Sequence, residues 1–596
     1  MKALPADQFV TLTSTGAILP PDLLARIASR DRDLPGLTLK SYKLAPGENI
    51  NEAISRSWNR LTGIWQYFQQ KVDERIDEDD PATGETRKRW LNPLFQELGY
   101  GNLEVVHSME LAGKSYPISH VYRNSPIHLL GINVDIDKRS KGIAGAATQS
   151  PHSLVQEFLN RSEKHTWGIV SNGYRIRLLR DNVTLTRQAY VEFDLKAMME
   201  SDAYADFALL WLVCHASRLD SKVPEKCWLE QWSKISAQEG TRALDDLRRG
   251  VEEAIRNLGT GFLSYPSNTE LLNKLRDQNH PEHLSVQDFY RQLLRIVYRL
   301  LFLFVAEDRD LLLHPKADIE TKKLYKEFYS TSRVRRIAER RRGSRHPDIW
   351  RAIALIFNKL GEPEGCPQLG LPALGSFLWE REAVKDLIDC DISNSSLLSA
   401  VRNLCFVKQD DVTRRVDYRN LGSEELGSIY ESLLELQPEL NIRTARFELQ
   451  VVSGHERKTT GSYYTPTSLI NELLNSALEP VITQAEKVAK QTSRQNPAFP
   501  NDPPEAQAIL NLRICDPATG SGHFLIAAAH RMAKRVAAAR TGEEEPSPES
   551  YRTALRDVIG HCIYGVDINP MAVELCKVSL WLEALEPGKP LNFLDH

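Results

Sequence analysis

Apolar residues at Leu293, Ile296, Val297, Leu300, Leu301 and Phe304 recur at steps of three and four, the spacing that lines one face of an α-helix. The same periodicity dominates from about Asp202 to Leu440, which predicts a helical middle domain. Ser57 to Ile76 predicts an earlier helix. After it the pattern changes. Ile127-His128-Leu129-Leu130-Gly131-Ile132 and Trp167-Gly168-Ile169-Val170 are short runs of the kind found in buried strands. Gly173 is placed to turn a hairpin into Tyr174 to Leu179, whose alternation predicts a half-exposed strand. Lys141 to Ser150 is expected to be a mobile loop, Pro497 to Pro504 a linker, and the acidic Thr541 to Ser550 a solvated loop. The fold class expected is a multidomain α/β protein: an α/β domain over 1–200, a helical domain over 201–450 and a third α/β domain over 451–596.

Composition narrows the class. The 596 residues carry 75 Lys+Arg against 79 Asp+Glu, a net charge of -4, with 42% hydrophobic and 26% charged residues. This is globular composition, which excludes disordered, collagenous and coiled-coil chains, and the length suits about three to five domains. The longest apolar run, Phe207 to Cys214, falls far short of the roughly 18 residues a membrane-spanning helix needs. Met1-Lys2-Ala3-Leu4-Pro5-Ala6-Asp7 lacks the apolar stretch of a secretory signal. Eight scattered cysteines without C-x-x-C imply neither a disulfide framework nor a zinc knuckle, so a cytoplasmic protein is expected. The near-neutral charge argues against indiscriminate coating of nucleic acid but leaves room for a local basic patch. Arg333 to Arg345 holds seven arginines against Glu339, which makes Arg335, Arg336, Arg340, Arg341 and Arg342 candidate DNA-phosphate contacts; the alternative is a solvated helix face.

The chemistry concentrates near the end of the chain. Leu512 to Cys515 predicts a strand, Asp516-Pro517-Ala518-Thr519-Gly520-Ser521-Gly522 a tight turn, and His523 to about Ala539 a helix. Gly520 and Gly522 let a ligand lie against bare backbone, and free N–H groups opening the helix at Gly522 favour a carboxylate or phosphate. Asp516 ends the strand where it could accept a hydrogen bond from a ligand ammonium. The turn lacks the third glycine of the dinucleotide fingerprint, and its next acidic strand end is Asp567, in Ile563-Tyr564-Gly565-Val566-Asp567-Ile568-Asn569-Pro570. There a carboxylate can bind ribose hydroxyls and Ile568 can offer an apolar face to adenine. Upstream stands Thr459-Thr460-Gly461-Ser462-Tyr463-Tyr464-Thr465-Pro466.

Taken in order, G-S-Y-Y-T-P, D-P-A-T-G-S-G-H-F-L and G-V-D-I-N-P resemble motifs X, I and II of the adenine-N6 DNA methyltransferases of type IIG restriction–modification enzymes and related, DISARM-like phage-defence methylases. Tyr298 to Arg309 and Leu421 to Leu434 also look like the helical region of large members, so the similarity covers roughly Asp202 to His596 and is specific from Lys458 onward. The resemblance implies a Rossmann-like domain that uses S-adenosylmethionine, with Tyr464, Thr465, Pro466, Asp516, Ala518, Gly520, Gly522 and Phe524 near its methionine part and Asp567 and Ile568 at its ribose and adenine. It implies double-stranded DNA as partner and no membrane.

Two departures qualify the resemblance. An (N/D/S)-P-P-(Y/F/W) loop, which would hold the flipped adenine, is missing; Asp502-Pro503-Pro504-Glu505 has Glu in place of the aromatic residue and precedes the cofactor turn. No catalytic residue is therefore assigned. The chain also reaches His596 only two strands into a fold that resembles a seven-stranded parallel sheet, so these residues are expected to be the front part of a longer methyltransferase, truncated, split or completed by a partner chain or other defence-system subunits, with a bare strand edge and no turnover alone. At the N-terminus a P-D…(D/E)-x-K nuclease pattern is anticipated by the same resemblance, but Tyr116-Pro117-Ile118-Ser119 and His128 to Lys138 lack its acidic residues at the right spacing. The expectation is a nuclease-like fold without metal ligands. A catalytically silent DNA-binding scaffold or split subunit, and a bifunctional type IIG restriction enzyme, are the competing readings.

Overall fold

The computed structural model describes residues 9–16, 18–45, 47–75, 80–181, 189–221, 223–409, 412–419, 421, 427, 433, 436–451, 465, 467–489 and 498–591. The chain is mixed α/β and divides into two compact units, residues 1–240 with 537–551, and residues 241–536 with 552–596.

The first unit is built on a seven-stranded sheet of β1 (Leu12–Thr15), β2 (Glu104–Val105), β3 (His120–Tyr122), β4 (Ser125–Leu129), β5 (Trp167–Ser171), β6 (Arg175–Arg180) and β7 (Tyr190–Asp194), in the order β1-β7-β6-β5-β4-β3-β2. Strands β4 and β5 run parallel and are joined by helix Pro151–Arg161; the other pairings are antiparallel. Every residue of β4 and β5 is buried, which is why both read as runs without alternation. Gly168 gives the crossover helix its close approach, since a Cβ there would lie 3.1 Å from Val155. Helix Ile50–Arg75 brings Trp58, Trp65 and Phe68 into the core beside Trp90.

Three expectations in this unit are corrected. Strand β6 is not half-exposed: Arg177, on its supposed polar face, is 2% exposed because its guanidinium meets Asp137 and Glu192. The 141–150 stretch is a loop anchored at its middle and end rather than free throughout: Ala146 is fully buried with its amide bonded to Ile143, and Gln149 and Ser150 are buried, while Lys141, Gly142, Ala144, Ala147 and Thr148 are exposed. The acidic stretch Thr541 to Ser550 is not a solvated loop, because Glu543 and Ser547 are buried in this first unit.

The second unit centres on α1 (Val286–Asp308), whose predicted apolar face is completely enclosed. It is followed by α2 (Thr331–Arg340), α3 (His523–Thr541), α4 (Pro548–Cys562) and α5 (Pro570–Ala584). The unit boundary falls within α3 after Val536 and within α4 after Tyr551. Leu575, Val578, Trp581 and Leu582 of α5 share one hydrophobic cluster with the helices of the middle region, so the helical and C-terminal segments fold around a single core. The helical pattern ends early, because Leu436–Asn441 is a strand paired antiparallel with Arg446–Val451. Pro438 cannot donate within a helix, whereas Leu436, Phe447 and Leu449 bury one face of the hairpin.

Strands β8 (Ile514–Asp516) and β9 (Ile563–Gly565) pair in parallel, Ile514 opposite Ile563 and Asp516 opposite Gly565. Helix α3 covers one side: a Cβ on Gly565 would lie 2.9 Å from Leu525. Cys515 and Tyr564 of these strands, and Val566 just after β9, are exposed. Among the described residues no helix is long and apolar enough to cross a membrane.

Candidate functional site

Two turns meet where β8 and β9 end. After β8 the chain passes through Pro517 and Ala518, exposed, to Thr519, buried, and then to Gly520 and Gly522, with φ of +51° and +90°. Those left-handed values select glycine. At Gly520 nothing lies within 4 Å of an added Cβ, so the backbone is open to an approaching ligand; at Gly522 a Cβ would come within 2.6 Å of Cys576 Sγ, so that glycine answers a packing demand from α5. Burial pushes the Cys576 thiol up to about 11, so it packs as a neutral group against the Thr519 hydroxyl 3.3 Å away.

The turns are cross-linked through backbone. The amide of Val566 donates to the Asp516 carbonyl at 2.9 Å and the amide of Thr519 to the Val566 carbonyl at 3.0 Å. Asp567 Oδ2 accepts from the Gly520 amide at 2.8 Å and its Oδ1 from the Asn569 amide at 2.8 Å. Asp516 Oδ1 accepts from the Ala518 amide at 3.0 Å. Ile568 is 91% exposed, an unusual placement for a large apolar side chain beside an ordered carboxylate.

Most of the expected cofactor residues are thus brought together: Asp516, Ala518, Gly520, Gly522, Asp567 and Ile568 line the paired turns, and half-buried Phe524 stands on the first turn of α3. Thr465 is described, half-buried, just ahead of helix Thr467–Leu473, whereas Tyr464 and Pro466 lie outside the described residues. One detail is corrected. The Gly520 and Gly522 amides are not free to bind an anion, because the first is taken by Asp567 and the second donates to the Thr519 carbonyl at 2.8 Å. These bonds fix the turn and leave each Asp567 oxygen with further lone pairs. The residues fit a nucleoside-bearing cofactor: a carboxylate for hydroxyls, an open glycine backbone and an exposed apolar face.

Gly427 was not singled out from the sequence, although its segment was noted as part of the helical region. A Cβ there would lie 2.8 Å from Ser521 Oγ and 2.8 Å from His523 Nε2, so this glycine lets the chain pass directly behind the turn. Further along α3, His530 meets Glu583 of α5 at 3.1 Å, both buried.

The arginine run divides. Arg336, Arg340, Arg341, Arg342 and Arg345 are exposed. Arg335 is corrected as a DNA contact: it is 1% exposed and forks onto both oxygens of Asp308, at 2.9 and 2.5 Å, beneath the Phe304 ring. The helical period carries it to the inner face of α2.

In the first unit, Asp137 bonds Arg177 at 2.7 and 2.9 Å, and Arg177 also meets Glu192 at 2.7 Å and His152 at 3.0 Å. Burial alone would raise the Asp137 pKa, but the Arg177 bonds and charge outweigh it and hold the carboxyl below its usual value. Asp135 is exposed and paired with Lys138 at 3.2 Å. The residues present do not fit a magnesium site, since Asp137 is committed to a guanidinium.

Comparison with known proteins follows the same line. Residues 446–589 match the family model described as N-6 DNA Methylase. That stretch is similar to the N-6 DNA methylases. The matched segment contains both turns and the helices that flank them. A protein of Methanocaldococcus jannaschii named "Putative type II restriction enzyme and methyltransferase" is 24% identical over 237 residues, 36% of this chain. The match spans 18% of that protein's length. No solved structure matches.

Proposed function

We propose that this chain supplies the cofactor-binding part of an S-adenosylmethionine-dependent, site-specific adenine-N6 DNA methyltransferase of a restriction–modification or phage-defence system. The observation that carries this reading is the bond from the Gly520 amide to the Asp567 carboxylate, which ties the glycine turn to the acidic strand end at the carboxyl edge of two parallel strands. Asp567 would take ribose hydroxyls, Ile568 the adenine face, and Asp516, Ala518, Gly520, Gly522 and Phe524, together with Tyr464, Thr465 and Pro466, the methionine end. The cofactor, when bound, offers a sulfonium methyl group. The chain's own task is to orient it, and the acceptor is the amino group of an adenine flipped from duplex DNA.

A loop of the (N/D/S)-P-P-(Y/F/W) type is needed to hold that adenine, and residues 1–596 do not contain one. Arg336, Arg340, Arg341 and Arg342 are proposed as phosphate contacts. The first unit is read as a nuclease-like fold, and the commitment of Asp137 to Arg177 favours a non-cutting role for it over that of a bifunctional restriction enzyme. The place of action would be the cytoplasm.

Calorimetric titration of the full chain with S-adenosylmethionine tests the reading. Binding is expected, and Asp567→Ala should weaken it about tenfold or more, which is the loss of a charge-assisted hydrogen bond, while duplex DNA binding stays intact. No binding by the unaltered chain, or equal binding by the variant, would refute it.

A further inference from the structure

The stretch Gly542-Glu543-Glu544-Glu545-Pro546-Ser547 has the composition of a solvated loop, yet the structure turns it inward. The Glu543 side chain is 4% exposed. Its carboxylate accepts from Arg139 Nε at 2.9 Å, the Ser150 amide at 2.8 Å, the Ser150 hydroxyl at 3.2 Å and the Ser153 hydroxyl at 2.7 Å. Glu544 pairs with Arg161, and the carbonyls of Thr541 and Glu545 accept from Arg139 and Ser153. Gly542, at φ +69°, brings the backbone so near Arg139 that a Cβ would lie 3.2 Å from its guanidinium.

In these contacts the groups that receive the tip are donors: two guanidiniums, two hydroxyls and a backbone amide at the opening of helix Pro151–Arg161. The same set recurs on the phosphates of DNA. The basic character extends beyond the contact, since Lys138 and Lys141 flank Arg139 and are exposed. The contact also has two parts of different strength. Glu543 is a buried peg, whereas the rim is wet: the Arg139 and Arg161 side chains are 39% and 37% exposed and Glu544 is 60% exposed. Rim pairs of that kind are screened by salt and open to exchange with another polyanion.

We propose that the acidic tip at residues 541–551 is an autoinhibitory element that covers a DNA-backbone-binding edge of the first unit, centred on Arg139 and Arg161. Duplex DNA and the tip compete for the same guanidiniums. This rests on the reading of the chain as a DNA-acting protein, and it goes further by naming a second DNA contact and the segment that controls it.

The test is duplex binding by the full chain, followed by fluorescence anisotropy across a salt series. The tip variant Glu543→Gln/Glu544→Gln/Glu545→Gln should bind about tenfold more tightly at low salt, with the slope of log K against log salt steeper by about 2, close to 0.9 for each guanidinium released. A charge-matched control, Glu320→Gln/Glu364→Gln/Glu382→Gln, removes three exposed carboxylates elsewhere and should change affinity far less. Adding Arg139→Ala/Arg161→Ala to the tip variant should cancel the gain. A tip variant that binds no better than the control, or a gain that survives loss of both arginines, overturns the proposal. Should the tip variant not fold, hydrogen exchange on the unaltered chain decides: duplex DNA must speed exchange of the amides at 542–547, and unchanged exchange overturns the proposal. Titration of the same preparation with S-adenosylmethionine keeps the two readings apart, because its failure removes the methyltransferase assignment without altering either DNA result.

Discussion

Arg335 and Arg340 stand one and a half turns apart on α2 and meet opposite fates. Arg335 is enclosed and forked onto Asp308, while Arg340 points to solvent. Removing a buried partner leaves a carboxylate without its cation, which costs about 3–5 kcal/mol, whereas surface changes usually stay within about 0.5 kcal/mol. Arg335→Ala should therefore lower stability to urea sharply and Arg340→Ala hardly at all; comparable effects of the two would contradict the assignment. Composition alone cannot separate these residues, because each adds the same charge to the run. Gly522 teaches a related lesson: its spacing suggested ligand access, but the contact that demands glycine is the Cys576 thiol of a helix more than fifty residues later.

At the scale of elements, the strongest periodicities were the most legible. The apolar face of α1, the glycine turn after β8 and the acidic end of β9 all fall where pattern and spacing put them. What pattern missed were elements whose polar residues are satisfied at long range. The Arg177 position in β6 reads as solvent-facing until Asp137, forty residues away, is seen to cover it. Arg309 is another such residue, donating to the carbonyls of Arg419 and Leu421 and to that of Leu582 in α5, at 3.0, 3.0 and 3.1 Å. These charged-group bonds from one planar fork tie the end of α1 to residues 419 and 421 and, through one of them, to the end of α5. Arg309→Ala should cost about 2–3 kcal/mol of unfolding free energy, and Arg309→Lys should recover little of it, since an ammonium cannot span three divergent acceptors. Full rescue by lysine would show that charge, not the fork, is what matters.

On the scale of the whole molecule, the first unit collects four histidines, His120, His128, His152 and His215, that are buried away from solvent. Burial pushes His120 and His128 down to about 4, and His152 and His215 down to about 3, with Arg87, Arg177 and Arg218 adding to the effect. Their folded-state values lie below the unfolded value of about 6.5, so the unfolded chain binds protons first as pH falls. The neutral histidines contribute fully above pH 6.5, and their contribution drains away between about 6.5 and 3, at up to about 1.4 kcal/mol per pH unit for each group. Asp137, whose carboxyl is held low by Arg177, extends the loss further into acid. Opening free energies from hydrogen exchange in β4, β5 and β6, corrected for intrinsic rates, should fall steadily from pH 7 to pH 4. A flat profile would show that these histidines are not buried in the neutral form.

Short-range pattern was enough to place the strand, the glycine turn and the helix of the candidate site, and to mark the residues at that turn as candidates for a nucleoside ligand. Those properties follow from backbone sterics and from spacings within a few residues, and they survive whatever surrounds them. Only the tertiary structure decided which charges are available. It buried Arg335 and Arg177, gave the Gly520 amide to Asp567, and drew Glu543 out of a run that looked solvated into a set of donors nearly four hundred residues earlier in the chain. The reason is physical: a charged side chain leaves water only where a partner of opposite sign or a full set of hydrogen bonds awaits it, and such partners come from distant parts of the chain.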